Sequence, residues 1–137
     1  MPDLSLVFVY GTLRRGQVNH RLLAEAELIG PATSCEDWLM VDCWGGAFPA
    51  VIGCGVEVVG HADACPIVGE VYRVDPETMR RLDRLEGYPL HYDRGVFEFD
   101  VLGERVEAWM YFQERVDDRP TIAGGDWCKR TTRREVV

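Results

Sequence analysis

Positive charge is scarce in this chain. Lys and Arg together number 15 against 23 Asp and Glu, which gives a formal net charge of −8. A nucleic-acid-binding protein needs a basic face to neutralise phosphates, so this balance argues against that class. The exception is a basic C-terminus made of Lys129, Arg130, Arg133 and Arg134. A short basic tail on an acidic body is expected to be a solvated end.

Long hydrophobic runs are also absent. The longest uncharged stretch, residues 43–56, is interrupted by four glycines and Pro49, so it is unfit to cross a bilayer. The first residues include Asp3 and no basic leader, so we do not expect residues 4–10 to act as a signal peptide. The sequence therefore predicts no membrane partner.

Metal-ligand spacing is the third absence. No C-x-x-C pair occurs, and the three histidines follow no ligand spacing, so we expect no metal and no cofactor. The cysteines are odd in number and are Cys35, Cys43, Cys54, Cys65 and Cys128. We expect these thiols to be mostly buried and reduced, as in a cytoplasmic protein. A disulfide or a reactive cysteine stays open as an alternative.

The 137 residues contain no internal repeat or linker, so residues 1–137 are predicted to form one domain. Strands are expected at 4–10, 38–41, 48–52 and 67–74, and as a hairpin of 92–101 with 106–112. Asn19 is expected to cap a helix that ends at Gly30-Pro31. Trp127 is expected to pack on the body after a final turn. Many strands with two helices predict an α+β fold with a curved sheet or small barrel.

The stretch that organises the chain is the end of the first strand. The apolar run reaches Tyr10 and stops at once on Gly11, with Gly16 close behind, which predicts a sharp turn. Unpaired N–H groups at such a turn suit a carboxylate or a developing oxyanion. A strand that ends in glycine can equally be just a turn.

The second candidate is a carboxylate on the apolar face of a helix. Asp75 followed by Pro76 predicts a helix that runs to about Glu86 and stops at Gly87. At roughly 100° per residue, Glu86 falls between Met79 and Leu82 on the apolar stripe that Leu85 completes. The arginines of this helix fall on the other side.

Burial and the helix C-terminus would both raise the pKa of Glu86, as general acid–base catalysis requires. Two alternatives are that the helix frays before Glu86 and that Glu86 pairs with Arg94. Tyr88, Tyr92, Tyr111 and Trp109 are near it in sequence or in the predicted hairpin. These aromatic residues suit either the wall of a pocket or ordinary core.

Taken together, these segments resemble the γ-glutamylcyclotransferase-like family, which includes γ-glutamylamine cyclotransferases and AIG2-like proteins. Phe8 to Leu13 matches the family's Y-G-[ST]-L signature, and its continuation to His20 looks like the γ-glutamylamine branch. Further matches follow in the right order along the chain: Phe48-Pro49-Ala50-Val51, Val68-Gly69-Glu70-Val71-Tyr72, Leu82-Asp83-Arg84-Leu85-Glu86, Tyr92-Asp93-Arg94, Ala108-Trp109-Met110-Tyr111 and Gly125-Asp126-Trp127.

The resemblance implies a single compact mixed β-barrel with a few flanking helices. It implies an enzyme that releases 5-oxoproline and an amine from a small γ-glutamyl substrate without a metal. By the same resemblance, the catalytic residue maps onto Glu86. The substrate-binding residues would be Tyr10, Gly11, Thr12 and Leu13, together with Tyr92 and Tyr111, and Arg94 would support Glu86's surroundings.

Two other functions stay open from the sequence. One is a non-catalytic small-molecule binding domain that retains the same cavity. The other is an enzyme that acts on γ-glutamyl groups of a larger metabolite. A mere binder gains nothing from a half-buried acid, which favours an enzyme.

Overall fold

The computed structural model describes residues 3–43, 45–53, 61–114 and 119–130. Within these ranges the chain forms six strands and one α-helix: β1 (Ser5–Val9), β2 (Glu27–Cys43), β3 (Phe48–Ile52), β4 (Cys65–Val74), α1 (Pro76–Glu86), β5 (Asp93–Val101) and β6 (Glu104–Phe112). Two short 3₁₀ helices, His20–Leu23 and Trp127–Lys129, complete the regular structure of the described residues.

The strands close into a barrel. Their order is β3-β2-β4-β1-β6-β5, and β2 also pairs with β5 through Ala32, Thr33 and Ser34. This extra pairing returns the sheet to β2, while β3 continues the sheet on the far half of β2. The β1–β6 pair is parallel and the other described strand pairs are antiparallel. The fold is therefore the predicted α+β class with a mixed β-barrel and flanking helices.

Strand β1 lies between two apolar layers. Phe8 joins an interior cluster that draws on all the barrel strands, including Val71, Phe99 and Met110. Val7 and Val9 point the other way, into a second layer with Met79 and Leu82 of α1. A strand buried on both faces needs a continuous apolar sequence, which explains the unbroken run before Gly11.

Strand β2 corrects the sequence interpretation. Gly30-Pro31 was expected to end a helix, but both residues lie inside β2. The register of β2 against β4 shifts between Leu28 and Gly30, and a Cβ on Gly30 would lie 3.1 Å from side-chain atoms of Val101 and Leu102. Glycine and proline therefore mark an irregular, closely approached part of a strand.

The predicted helix after Asn19 is reduced to one 3₁₀ turn, His20–Leu23. Asn19 makes no side-chain cap there, and its Nδ2 donates instead to Oγ1 of Thr12 at 3.0 Å. The side-chain amide is thus used to hold the turn that follows β1. In the described part of the chain, no helix is both long enough and apolar enough to traverse a membrane.

The remaining predicted elements are confirmed. Asp75 accepts a hydrogen bond from the Thr78 N–H, and Gly87 closes α1 in the left-handed conformation at φ 66°. The β5–β6 hairpin turns at Leu102 and Gly103. Trp127 is 1% exposed, as expected for a final turn that packs on the body.

Candidate active site

The turn after β1 forms as the sequence predicts, and it requires glycine at position 11 because a side chain there would not fit. The N–H of Arg14 donates to the carbonyl of Gly11 at 3.0 Å, which closes the turn. A Cβ on Gly11 would lie 2.7 Å from Cγ of Pro49, so only glycine allows the turn to approach β3 this closely. Within the described residues, the N–H groups of Gly11, Thr12 and Leu13 donate to no protein acceptor. They are therefore available to an anion.

The turn is held from behind by charged groups. The guanidinium of Arg14 contacts Glu70 at 2.8 Å and Asp126 at 2.7 Å, and these side chains are only 12–16% exposed. The N–H of Arg15 donates to the other oxygen of Glu70 at 2.9 Å. Strand β4 and the C-terminal turn thus fix the position of the loop that carries the free amides.

Glu86 occupies the last position of α1, so the helix does not fray before it. Met79 and Leu82 on the same face are buried and Glu86 is half-buried. Burial raises the pKa of the Glu86 carboxyl to about 7. No hydrogen bond or salt bridge joins this carboxyl to another described residue.

The alternative salt bridge between Glu86 and Arg94 is not formed. Nε of Arg94 lies 3.5 Å from Oδ1 of Asp83, and its guanidinium lies between the rings of Tyr88 and Trp109 at 4.8 and 4.7 Å. Leu85 was expected in the buried stripe but is 40% exposed. It lies at the cavity instead of beneath the helix.

The three tyrosines predicted to bind substrate have already committed their hydroxyl protons to the protein. Tyr10 donates to the carbonyl of Tyr111 and Tyr92 to the carbonyl of Pro49, both at 2.8 Å. Tyr111 donates to Oδ1 of Asp83 at 2.7 Å. Desolvation is the main cause that raises the pKa of each hydroxyl; Asp83 adds to it for Tyr111 and Glu86 adds to it for Tyr92, so all three stay neutral. Any hydroxyl oxygen that meets a ligand therefore does so as an acceptor.

One cavity of about 790 Å³ brings most of the predicted residues together. Its lining includes the predicted catalytic and substrate-binding residues, Glu86, Tyr10, Gly11, Thr12, Leu13, Tyr92 and Tyr111. Arg94 is outside the lining and reaches the cavity only through Asp83 and Tyr111. A site of this size suits a small molecule of one or two amino-acid units.

Several lining residues were missed by sequence reasoning. Arg119, Cys43, Asn19 and His91 all line the cavity. Nη1 of Arg119 donates to Sγ of Cys43 at 3.1 Å. No local pattern marks Arg119, because it is an isolated residue in a segment without periodicity.

The cysteines depart from their predicted burial. Cys43 is buried, whereas Cys35 and Cys128 are exposed and Cys65 is intermediate; these four are free thiols. The exposed pair lies outside the core because Cys35 is on the irregular part of β2 and Cys128 is in the final 3₁₀ turn. Cys54 lies outside the described residues, as do Arg133 and Arg134 of the basic C-terminus. The described part of the chain holds no group of His, Cys, Asp and Glu suited to a metal ion.

Comparison with known proteins agrees with this architecture. The family model described as gamma-glutamyl cyclotransferase, AIG2-like, matches residues 7–129. The chain belongs to this family.

Individual relatives span most of the chain. A gamma-glutamylcyclotransferase family protein of Escherichia coli (strain K12) is 33% identical over 126 residues, which cover 90% of this chain and 96% of the relative. A gamma-glutamylaminecyclotransferase of Rattus norvegicus is 30% identical over 121 residues, which cover 79% and 77%. The crystal structure of an AIG2-like protein from Mus musculus has the same fold, with a TM-score of 0.73 and 24% identity over 95% of this chain and 86% of that one.

Proposed function

We propose that this protein is a γ-glutamyl cyclotransferase that converts a small γ-glutamyl compound into 5-oxoproline and an amine. The observation that carries the proposal is the Glu86 carboxyl, which has a pKa of about 7 and shares a cavity with the free amides of residues 11–13. A carboxyl with that pKa both accepts and returns a proton near neutral pH. Membership in the family supports the same reaction.

The substrate supplies both reacting groups, so the reaction asks for no nucleophile from the enzyme. Ionised Glu86 accepts a proton from the substrate's α-ammonium group, and the freed amine attacks the γ-carbonyl carbon. The new C–N bond closes the ring, the old C–N bond breaks, and the departing nitrogen takes up protons through Glu86. Two protons in all pass from the α-nitrogen to the leaving nitrogen, which departs as an ammonium ion.

The turn and the tyrosines position the substrate in this scheme. The amides of Gly11, Thr12 and Leu13 hold the α-carboxylate or the oxygen that becomes negative at the γ-carbon. Tyr92 and Tyr111 accept hydrogen bonds from the α-ammonium group, since their own protons are used elsewhere. A folded glutamyl chain then reaches attack geometry, where proximity supplies much of the acceleration.

Arg94 acts on the site indirectly, through Asp83. Its contact with Asp83, and the hydrogen bond from Tyr111 to Asp83, connect β5 and β6 to the helix that carries Glu86. We therefore assign Arg94 a positioning role, in which it holds Asp83 and the helix of Glu86 and does not itself touch the substrate. The four free thiols fit a reducing, cytoplasmic location.

Incubation with a panel of γ-glutamyl amines, γ-glutamyl amino acids and glutathione, with 5-oxoproline as the readout, tests the proposal. We expect 5-oxoproline from at least one class of compound and none after Glu86→Gln. If no compound yields product while some bind, the protein is the non-catalytic binding domain.

A further inference from the structure

The turn after β1 has its hydrogen-bond acceptors occupied and its donors free. The carbonyl of Gly11 is bonded within the turn, and the carbonyl of Thr12 accepts from the N–H of Asn19 at 2.8 Å. The carbonyl of Leu13 lies 3.0 Å from Nδ1 of His20, so that nitrogen carries the proton. The amides of the same turn donate to no acceptor in the described residues. The turn therefore offers donors, and no unused acceptor, to a ligand.

The side chain of Thr12 follows the same rule. Nδ2 of Asn19 donates to Oγ1 of Thr12 at 3.0 Å, and both residues are half-buried and line the cavity. A hydroxyl has one proton and two lone pairs, so an oxygen that accepts from Asn19 keeps its proton for another partner. Among the described residues, no group accepts that proton. The hydroxyl of Thr12 is thus an unused donor beside the unused amides.

Arg21 fixes which end of the Asn19 amide faces Thr12. Nη1 of Arg21 donates to the carbonyl of Val18 at 2.9 Å and lies 3.4 Å from Oδ1 of Asn19. The opposite orientation of the amide would place its NH₂ group against the guanidinium, where two donors would face each other. The amide oxygen therefore stays at Arg21, and the NH₂ group stays at the hydroxyl.

We propose that Asn19 is a positioning residue for the cyclisation: by donating to Oγ1 of Thr12, it directs the hydroxyl proton of Thr12 to the substrate oxygen that the amides of the turn hold. This inference rests on the proposed cyclotransferase function. A donor that is oriented before the substrate binds needs no reorganisation during the reaction, so its orientation contributes to the rate. Asn19 acts through Thr12 and need not touch the substrate.

Asn19→Asp tests the direction of this hydrogen bond. An ionised Asp has nearly the same shape as Asn but only acceptors, so the hydroxyl of Thr12 would donate to it and turn its lone pairs toward the substrate. We expect kcat/KM on the best γ-glutamyl substrate of the panel to fall by roughly 10- to 100-fold at pH 7, with the urea midpoint close to that of the unaltered protein. If Asn19 only ties the loop together, the Asp variant keeps the tie and its kcat/KM stays near normal, which overturns the proposal.

The added negative charge is separated from the direction of the bond by two comparisons. Gln17→Glu places a charge in the same loop outside the cavity lining and should leave kcat/KM near normal. In a Thr12→Val background no hydroxyl remains to be turned, so Asn19→Asp should there cost less than about 3-fold. The same loss in both backgrounds would assign the effect to charge alone and contradict the role of Asn19.

Thr12 itself is tested without any change at Asn19. Thr12→Val should lower kcat/KM by roughly 10- to 100-fold, and Thr12→Ser, which restores the hydroxyl, should recover most of that loss. Equal kcat/KM values for Thr12→Val and the unaltered protein would overturn the inference while the cyclotransferase function stands. The absence of 5-oxoproline from every compound of the panel with the unaltered protein would overturn the proposed function, and this inference with it.

Discussion

Tyr111 on β6 donates a 2.7 Å hydrogen bond to Asp83 on α1, one helical turn before Glu86. The contact joins the barrel to the helix that carries the proposed proton carrier, and Arg94 approaches the same carboxylate from β5. The position of the helix that carries Glu86 is therefore fixed in part by a side-chain contact between residues that are 28 positions apart in sequence.

Removing this hydrogen bond should affect stability and activity together. Tyr111→Phe takes away the donor while it keeps the ring, and we expect the free energy of unfolding to fall by about 1–2 kcal/mol. kcat/KM should fall as well, because the cavity loses an acceptor for the α-ammonium group. Urea unfolding and steady-state kinetics measure the two effects.

Tyr88→Phe is the matched control. Tyr88 is 36% exposed, and its ring would still stack on Arg94 after the change. We expect its free energy of unfolding to change by no more than about 0.5 kcal/mol. If both variants behave alike, the Tyr111–Asp83 contact has no special role.

Gly11 should tolerate no side chain. In Gly11→Ala the new methyl group meets Pro49 at 2.7 Å, so either β3 or the turn must move. We expect a loss of about 1–3 kcal/mol in stability and of roughly 10- to 100-fold in kcat/KM, and a larger effect for Gly11→Val.

Gly53→Ala provides the comparison for Gly11, since its Cβ would make an ordinary 3.6 Å contact with Trp38. Its kinetics should stay close to those of the unaltered protein. Normal saturation kinetics for Gly11→Val would show that the turn does not hold the substrate.

The Arg14 cluster should contribute far more to stability than an exposed ion pair does. Arg14→Gln leaves Glu70 and Asp126 without their cation in partly buried positions, and we expect a loss of about 3 kcal/mol. Arg73→Gln breaks a pair whose members are 42% and 62% exposed, and should cost less than about 1 kcal/mol. Chemical denaturation of both variants compares them; similar losses would contradict a bracing role for Arg14.

The parts of the site that are encoded locally could be predicted from the sequence. Asp75, Pro76 and Gly87 define both ends of α1, and the helical period then places Glu86 beside Met79 and Leu82. Gly11 marks the turn in the same way. Such signals depend on only a few neighbouring residues, so they can be recognised without knowing how the rest of the chain folds.

Other features depend on contacts distant in sequence and could not be predicted in this way. Gly30-Pro31 has the local signature of a helix end, yet pairing with Val71 and Glu70 of β4 makes it part of a strand. Arg119 lines the cavity, although no local pattern in the sequence marks it. The hydroxyl of Tyr92 donates to the carbonyl of Pro49, 43 residues away in sequence, and no local pattern indicates this bond.

The free energy of unfolding should fall as the pH rises, because the pKa of Glu86 is higher in the folded protein than in the unfolded chain. Its pKa rises from 4.5 to about 7 on folding, so the unfolded chain loses this proton first as the pH rises. Stability should therefore decline between about pH 4.5 and 7, by on the order of 2 kcal/mol once solvent in the cavity is allowed for.

Glu86→Gln should remove that part of the pH dependence and be more stable than the unaltered protein at pH 8. Denaturant unfolding at pH 5 and pH 8 measures the difference. Parallel stability profiles for the two proteins would mean that the pKa of Glu86 is not raised by folding.

The proton-carrying role of Glu86 is tested most directly by the turnover number of Glu86→Gln on the best γ-glutamyl substrate of the panel, with 5-oxoproline as the readout. Glu77→Gln is the control, since Glu77 lies on the exposed side of the same helix and pairs with Arg81. We predict that kcat falls by roughly 10²- to 10⁴-fold in Glu86→Gln, with the fold intact, and stays near normal in Glu77→Gln. Near-normal turnover in a folded Glu86→Gln protein would contradict the mechanism.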